Sequence, residues 1–327
     1  MTPARIRAEE GFGDENYQRL NELIYQARPA DYFLQRIANA LVVGSDPEAR
    51  DNALKAGAGI GKLRIHADEP HSPSFWGSAD ERDTRAKHFL TAEAAVLFHH
   101  ASETLLRLYL AHEAMTACPW LTMSQTRSPA LFKRQVAQRF VDEPHHSEAS
   151  LRGVGRVFHL APGPEHVKPS PPTEVWDASV KSVEDHLRYF ANRFLKKAPL
   201  YNAAKHGLAF LQSEADIQIR EAELTSSGPV IHTLEERTEG ERNYWFLVTH
   251  GVQTDQFLAL TYRIVDLIDS LWNAARYRYV TKTGGINMRL WDKSTLTPLL
   301  EVDDGHFHLD EWVEPLVYYV PDVPDAQ

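Results

Sequence analysis

The chain has 327 residues, of which 43% are hydrophobic and 24% charged, and its formal net charge is −10. These values fit a folded protein with a substantial core, and they exclude nucleic-acid binding driven by overall charge, so any contact with RNA or DNA needs a local basic patch. A single cysteine, Cys118, rules out an internal disulfide and suits a reducing compartment. No apolar run approaches the roughly 20 residues that span a bilayer. The polar N-terminus lacks the apolar core of a signal peptide, so we expect a cytoplasmic protein with no membrane contact.

Apolar residues with helical spacing dominate the first two thirds of the chain. We predict helices, in chain order, over residues 14–28, 30–42, 79–115, 129–141, 147–159, 175–195 and 199–211. Local start signals support three of them: the capping-box pair Ser78 and Glu81, Ser128 before Pro129, and Thr173.

Three stretches between these helices predict turns or loops. Residues 56–62 are glycine-rich, but they are one residue short of the phosphate-loop spacing, and Leu63 stands where a Ser or Thr would bind Mg²⁺. That stretch is therefore predicted to be a turn. Residues 66–78 and 161–173 are rich in proline and predict loops.

The last third of the chain changes pattern. Residues 216–224 and 229–249 alternate in polarity and predict strands, with a hairpin turn at Glu239–Gly240. A long helix is predicted over 254–280, and residues 286–320 again favour strands.

The predicted fold is mainly α (α+β): a helical bundle with a β-hairpin insertion and a small β-rich C-terminal part. We predict an N-terminal helical region over 1–75, a helical bundle over 76–213, and a segment over 214–327 whose long helix completes the bundle.

The most informative segment is 201–207, Tyr-Asn-Ala-Ala-Lys-His-Gly. Asn202 and His206 are four residues apart and therefore share one face of a helix. The Asn202 amide can hold a phosphate or orient the imidazole, and His206 can act as an acid or base near neutral pH.

The same part of the chain reverses the overall charge. Between His186 and Ser213 there are five basic residues and no acidic residue. They are Arg188, Arg193, Lys196, Lys197 and Lys205. This stretch is the best candidate for an anion-binding patch.

The 201–207 segment resembles the Arg-Asn-x-x-x-His motif of HEPN domains, which are helical proteins of bacterial defence, toxin–antitoxin systems and RNA processing. Asn202 and His206 match the motif, whereas Tyr201 occupies the Arg position. Glu103 matches an acidic residue that the family often carries on an earlier helix.

The resemblance implies a HEPN-like protein that binds RNA or a nucleotide as a homodimer and needs neither cofactor nor metal. It also implies a metal-independent endoribonuclease activity. We rank this activity below binding, because Tyr201 occupies the Arg position of the motif. The implied catalytic residues are His206, Asn202 and Glu103. The implied substrate contacts are Tyr201, Lys205, Arg193, Arg188 and Lys197. Lys205 or Arg193 would have to replace the missing Arg, but Lys205 points about 100° away from His206 on a helix.

Two other functions stay open. The first is a non-catalytic helical module that forms a homodimer or binds a protein partner. The second is a metal enzyme built on His99 and Glu103, which share a helix face. His186, or Asp266 with Asp269, would supply its further ligands from a second helix.

A further histidine pair, His145 and His146, follows a proline and lies beside Glu143 and Glu148. This pattern predicts a loop turn rather than a metal site.

Overall fold

The computed structural model describes residues 13–45, 48, 58–60, 63–65, 79–126, 128–206, 210–219, 224–239, 242–282, 289–292 and 311–316. The helices are α1 (Asp14–Ile24), α2 (Pro29–Ser45), α3 (Ala79–Glu113), α4 (Pro119–Gln125), α5 (Pro129–Ala137), α6 (Glu148–Phe158), α7 (Thr173–Lys196), α8 (Ala198–His206) and α9 (Thr254–Arg276). Five-residue π-helical turns continue α5 over Gln138–Asp142 and α9 over Tyr277–Thr281. The strands are β1 (Ala58–Ile60), β2 (Leu63–Ile65), β3 (Phe210–Ile219), β4 (Leu224–Glu239), β5 (Arg242–Gly251) and β6 (Glu311–Leu316).

These elements confirm the predicted mainly α fold with a β-hairpin insertion. The start of α5 follows its sequence signal: the Ser128 hydroxyl accepts a hydrogen bond from the Leu131 N–H, and Pro129 occupies the first helical turn. Ser78 lies outside the described residues. α4 has no counterpart among the predicted helices, because seven residues are too few to show a helical period.

Two of the predicted helices bury a long apolar stripe with helical spacing. On α3 the stripe residues are all buried: Ala94, Phe98, Ala101, Leu105 and Leu108. On α9 the same holds for Phe257, Leu260, Ile264, Leu267, Ile268 and Leu271. Each fully buried Leu, Ile or Phe side chain contributes about 1.5–3 kcal/mol, so these stripes fix the helices in the core.

Strands β3 to β6 form an antiparallel sheet in the order β3-β4-β5-β6. The predicted hairpin is confirmed, since β4 and β5 pair up to Glu239 and Arg242 on either side of the turn. The glycine-rich stretch contributes to a second hairpin, in which Ala58–Ile60 pairs with Leu63–Ile65. Within the stretch 286–320 that favours strands, β6 covers Glu311–Leu316, and residues 293–310 and 317–320 lie outside the described residues.

The predicted end of the helix that contains α8 is wrong. The helix predicted over 199–211 ends at His206, and β3 begins at Phe210 rather than at 216. Two causes are visible: Gly207 is a residue type that commonly follows a helix end, and ten consecutive residues of β3 pair with β4. Sheet pairing therefore overrides the helical pattern at residues 210 and 211.

The chain divides into two compact units. Unit 1 comprises Met1–Gln35, His99–Lys196 and Ala259–Val302, and unit 2 comprises Arg36–Phe98, Lys197–Leu258 and Asp303–Gln327. The predicted segments 1–75, 76–213 and 214–327 follow chain order, whereas each unit collects three separate stretches. Two long helices, α3 and α9, each run from unit 2 into unit 1.

Unit 1 is a helical assembly. The Phe194 ring of α7 packs against Phe132 of α5 at 5.5 Å between centroids and against His99 of α3 at 4.7 Å. The Trp272 indole N–H of α9 donates to the Ala27 carbonyl at 2.7 Å. The unit is thus held by both apolar packing and buried hydrogen bonds.

Unit 2 combines the sheet with α8 and with the parts of the long helices that belong to it. Phe98 and Phe257 meet edge to face at 5.1 Å, and Ile231 and Val248 fill the buried side of the sheet. Among the described residues, no helix has the length and apolar character needed to cross a bilayer.

Candidate functional site

Helix α8 carries the segment that resembles the HEPN motif. Its backbone includes both Asn202 and His206, which confirms that the two residues are one helical turn apart on a common face. Ala198 and Leu200 are buried, whereas Asn202 is exposed. Asn202 therefore presents its amide on the side of the helix that faces solvent.

Two members of the predicted site lie beyond the described side chains. His206 and Lys205 belong to α8 by their backbone, and their side chains lie outside the described part of the structure. Tyr201, the residue in the Arg position, is half-buried. Its N–H donates at 3.2 Å to the carbonyl of Lys197, a buried residue one helical turn earlier.

Arg188 has a structural role. Its guanidinium binds the Glu184 carboxylate at 2.8 Å and the carbonyls of Phe140, Glu143 and Pro144 at 2.9–3.1 Å. Glu184 has no exposed surface, so this pair is an internal clamp that fixes a loop to α7. These donors are occupied within unit 1.

The other basic residues of the stretch face different ways. Arg193 donates to the Tyr189 hydroxyl at 3.2 Å and is half-buried, Lys197 is buried, and Lys196 is exposed. The count that starts at His186 also leaves out Glu184 and Asp185, which precede it directly. The outward-facing positive charge in this stretch is accordingly smaller than the sequence count indicates.

Glu103 forms an ion pair on α3. Its carboxylate accepts from Arg107 at 2.8 Å, and Arg107 also donates to the Thr126 carbonyl at 2.8 Å and stacks 4.0 Å above the Phe132 ring. Glu103 is thus an ion-pair partner of Arg107 within α3.

The residues of the predicted site divide between the two units. Unit 1 contains Glu103, Arg188 and Arg193. Unit 2 contains Lys197, Tyr201, Asn202, Lys205 and His206.

A cavity of about 320 Å³ opens beside Arg107 in unit 1. It is lined by Arg107, Leu110, Ala111, Ala114, Thr122, Met123, Thr126, Phe132, Gln135, Gln138, Arg139 and Glu143. The walls come from α3, α4, α5 and the π-helical turn, so no local sequence motif predicts the cavity. Its size falls within the range of small-molecule sites.

The charged side chains that line this cavity form ion pairs. Arg139 is almost fully buried and binds Glu113 and the Tyr109 hydroxyl at 2.8–3.0 Å. Burial opposes the charge on Arg139, but Tyr109, Glu113 and Glu143 outweigh it and raise the pKa of the guanidinium. Burial also raises the pKa of Tyr109, so the phenol stays neutral and donates to Glu113.

Among the side chains that the structure describes, no set of metal ligands converges at the place predicted for the metal-enzyme alternative. His99 packs on Phe194, and burial lowers its pKa to about 3, while Glu103 is paired with Arg107. Asp266 pairs with Arg263 and Arg289, and Asp269 pairs with Arg28.

Three ligand-type side chains do meet elsewhere in unit 1. Within the part of the chain whose side chains are described, His145, His146 and Asp185 form the one group of three possible metal ligands. The loop placement predicted for His145 and His146 is confirmed, but a sequence reading could not pair them with Asp185, which lies 39 and 40 residues further on.

Comparison with known proteins adds no relative, since no family model, no curated protein and no solved structure matches the chain. The likeness to HEPN domains rests on the 201–207 segment and on the helical architecture.

Proposed function

We propose that the chain is a HEPN-like protein that binds RNA or a nucleotide through the last turn of α8, in a bacterial defence or stress system. The observation that carries the proposal is the exposed Asn202, one turn before His206, in a basic stretch without acidic residues. An amide and an imidazole on one helix face offer the donors that a phosphate accepts.

The charge distribution supports a local contact. The whole chain is acidic, so long-range attraction to RNA is weak and binding depends on close contacts. Asn202 is exposed, and Lys205 follows it in the same helix. We expect a modest affinity that falls steeply with salt.

Cleavage ranks below binding in this proposal. In metal-independent cleavage the RNA 2′-hydroxyl attacks the adjacent phosphorus, and the 5′-oxygen of the next nucleotide leaves as it takes up a proton. His206 would move a proton in this step, and a cation would stabilise the charge on the phosphate oxygens. Tyr201 carries no charge at the motif position, and Arg193 donates to Tyr189, so the cation that the chemistry needs is weakly provided.

Fluorescence anisotropy with a labelled single-stranded RNA tests the proposal. Asn202→Ala and His206→Ala should each lower affinity by at least about tenfold, since a hydrogen bond to a charged group contributes about 1.5–3 kcal/mol. Asn192→Ala is the matched control, because Asn192 is also exposed and its amide donates within its own helix. Equal affinity in all four proteins would refute the proposed site.

The salt dependence supplies an independent readout. Lys205→Ala should reduce the slope of log affinity against log salt by about 0.7, the value expected for one phosphate contact on a single strand. Lys181→Ala, an exposed lysine of α7, should leave the slope unchanged. Product analysis in the presence of chelator reports cleavage in the same samples.

The cavity favours a second candidate function, the binding of a small planar ligand. Arg107 and Phe132 give it a flat wall, Gln135 and Gln138 offer amides, and the charged residues are paired, so an uncharged ligand such as a nucleobase suits it. Ala114 is exposed and lines the cavity, so Ala114→Trp should block the binding of such a ligand. Ala149 is an exposed residue of α6 that does not line the cavity, so Ala149→Trp should leave binding unchanged. Calorimetry with a nucleoside distinguishes the two variants.

The interaction-module alternative differs from the first proposal in RNA binding, not in assembly. A HEPN-like cleft uses two copies of the chain, so the first proposal also expects a homodimer. Sedimentation velocity with and without RNA measures this directly. A stable dimer that binds no RNA would favour the non-catalytic module.

A further inference from the structure

We propose that His145, His146 and Asp185 form a binding site for a divalent first-row transition metal, with Zn²⁺ as the reference ion. The proposal does not depend on RNA binding by α8. It rests on side chains from a loop and from α7, all within unit 1.

The three ligand atoms converge. The His145 and His146 Nε2 atoms lie 2.7 and 2.9 Å from the same oxygen, Asp185 Oδ1, and all three atoms are within 4.8 Å of one another. Two imidazoles and one carboxylate are ligands that Zn²⁺ accepts in catalytic and exchangeable sites, where a water takes the fourth position. Side-chain exposures of 54%, 31% and 18% leave the group open to an ion from solvent.

The loop that carries the histidines is fixed before any ion binds. Arg188, one turn after Asp185 on α7, donates to the carbonyls of Phe140, Glu143 and Pro144. The buried Glu184 carboxylate accepts from Arg188 at 2.8 Å and from the Ser150 hydroxyl at 2.6 Å. One helix turn therefore supplies both a ligand and the clamp that positions the other two ligands, as outer-shell groups do in metal sites.

The backbone at the second histidine is also constrained. His146 has a φ of 54°, in the left-handed region, which costs a non-glycine residue about 1–2 kcal/mol. The strained conformation brings adjacent imidazoles to the same side, with ring centroids 3.8 Å apart. Neighbouring residues in an extended strand would point to opposite sides, so this geometry is what lets consecutive histidines reach one carboxylate.

Binding requires a small adjustment. With metal–ligand bonds of about 2.0–2.1 Å, tetrahedral donors lie about 3.3 Å apart, so each imidazole would move outward by roughly half an ångström. His145 is more than half exposed and can rotate. Each imidazole would bind as the neutral tautomer, with its proton on Nδ1.

The flanking carboxylates have other partners. Glu143 pairs with Arg139 at 3.2 Å, and Glu148 pairs with Arg152. The expected protein ligand set is thus limited to the three residues named.

Calorimetric titration of the untagged full chain with Zn²⁺, after treatment with chelator and buffer exchange, tests the site. Co²⁺ absorption in the same protein reports the coordination geometry. We expect one equivalent of metal to bind, and His145→Ala and Asp185→Asn each to weaken binding about 10- to 100-fold or more, since even outer-shell changes cost that much.

The matched control is His166→Ala. His166 is an exposed histidine that contacts a single carboxylate, Glu165 at 2.8 Å, and its removal should leave Zn²⁺ affinity unchanged. His145 is exposed and Asp185→Asn preserves shape, so both variants should keep the wild-type unfolding midpoint within a few degrees. Absence of Zn²⁺ binding in the wild type, or equal binding in wild type, His145→Ala and Asp185→Asn, would overturn the proposal.

Discussion

The loop clamped on α7 and the last turn of α8 differ in how their residues come together. At the clamp, residues 44 to 48 positions apart meet through hydrogen bonds from Arg188, which also pairs with the fully buried Glu184 carboxylate. At α8, the informative residues are neighbours in sequence and one exposed amide carries the argument. Long-range convergence creates a site that only the structure reveals, whereas a local motif can be read from sequence even where its partners are unknown.

The largest expected effect tests the clamp. Glu184→Ala should lower the free energy of unfolding by about 3–5 kcal/mol, because it leaves the Arg188 charge without its carboxylate in a buried position. Urea denaturation measures the loss. Glu148→Ala, which removes an exposed pair with Arg152, should change stability by less than about 1 kcal/mol. Similar losses in the two variants would show that the clamp adds no special stability.

The next effect concerns the buried histidines of unit 1. They contrast with His145 and His146, whose side chains are 54% and 31% exposed. Burial lowers the pKa of His112 to about 4, and its Nε2 accepts from the Tyr25 hydroxyl at 2.8 Å. Above pH 6.5 the side chain is neutral in both states, so there is no linked effect. As pH falls from 6.5 to about 4 the unfolded chain takes up the proton first, and stability should drop on the order of 1–3 kcal/mol.

The pH slope, rather than absolute stability, identifies His112. His112→Asn should flatten the decline in urea midpoint between pH 7 and pH 5, whatever its effect at pH 7. His166→Ala, at an exposed position, should leave the slope as it is in the wild type. An unchanged slope in His112→Asn would contradict the assigned cause.

A smaller effect separates the two regions in function. Asp185→Asn should change RNA affinity less than about twofold, while Asn202→Ala should lower it at least about tenfold. Anisotropy on the same RNA gives both values. A large loss in Asp185→Asn would mean that Asp185, beside the clamp, contributes to RNA binding.

The smallest effect is on stability at α8. Asn202 is exposed, so Asn202→Ala should change the free energy of unfolding by no more than about 0.5 kcal/mol. This near-neutral result is needed for the RNA comparison, because it shows that a loss of binding does not come from unfolding. Thermal denaturation is sufficient to measure it.

Sequence patterns predicted the helices well where apolar residues repeat over many turns. The stripes of α3 and α9 are long enough for their period to be clear, and both are buried. The end of α8 could not be predicted, since pairing of β3 with β4 decides residues 210 and 211. Local periodicity contains no information about that partner strand.

The candidate sites were predictable only in part. The i, i+4 relation of Asn202 and His206 follows from helical spacing and was foreseeable. The internal hydrogen bonds of Arg188 were not foreseeable, because its partners include three backbone carbonyls from residues 140–144. Charge counting treats every arginine as available, whereas packing decides which ones face solvent.

The central claim is that the last turn of α8 binds RNA. The most direct measurement is RNA affinity of wild type and His206→Ala, beside Asn192→Ala, at two salt concentrations with chelator present. The account predicts salt-sensitive binding that falls at least about tenfold in His206→Ala and is kept in Asn192→Ala. Absence of binding in the wild type at low salt, or equal binding in all three proteins, would contradict it.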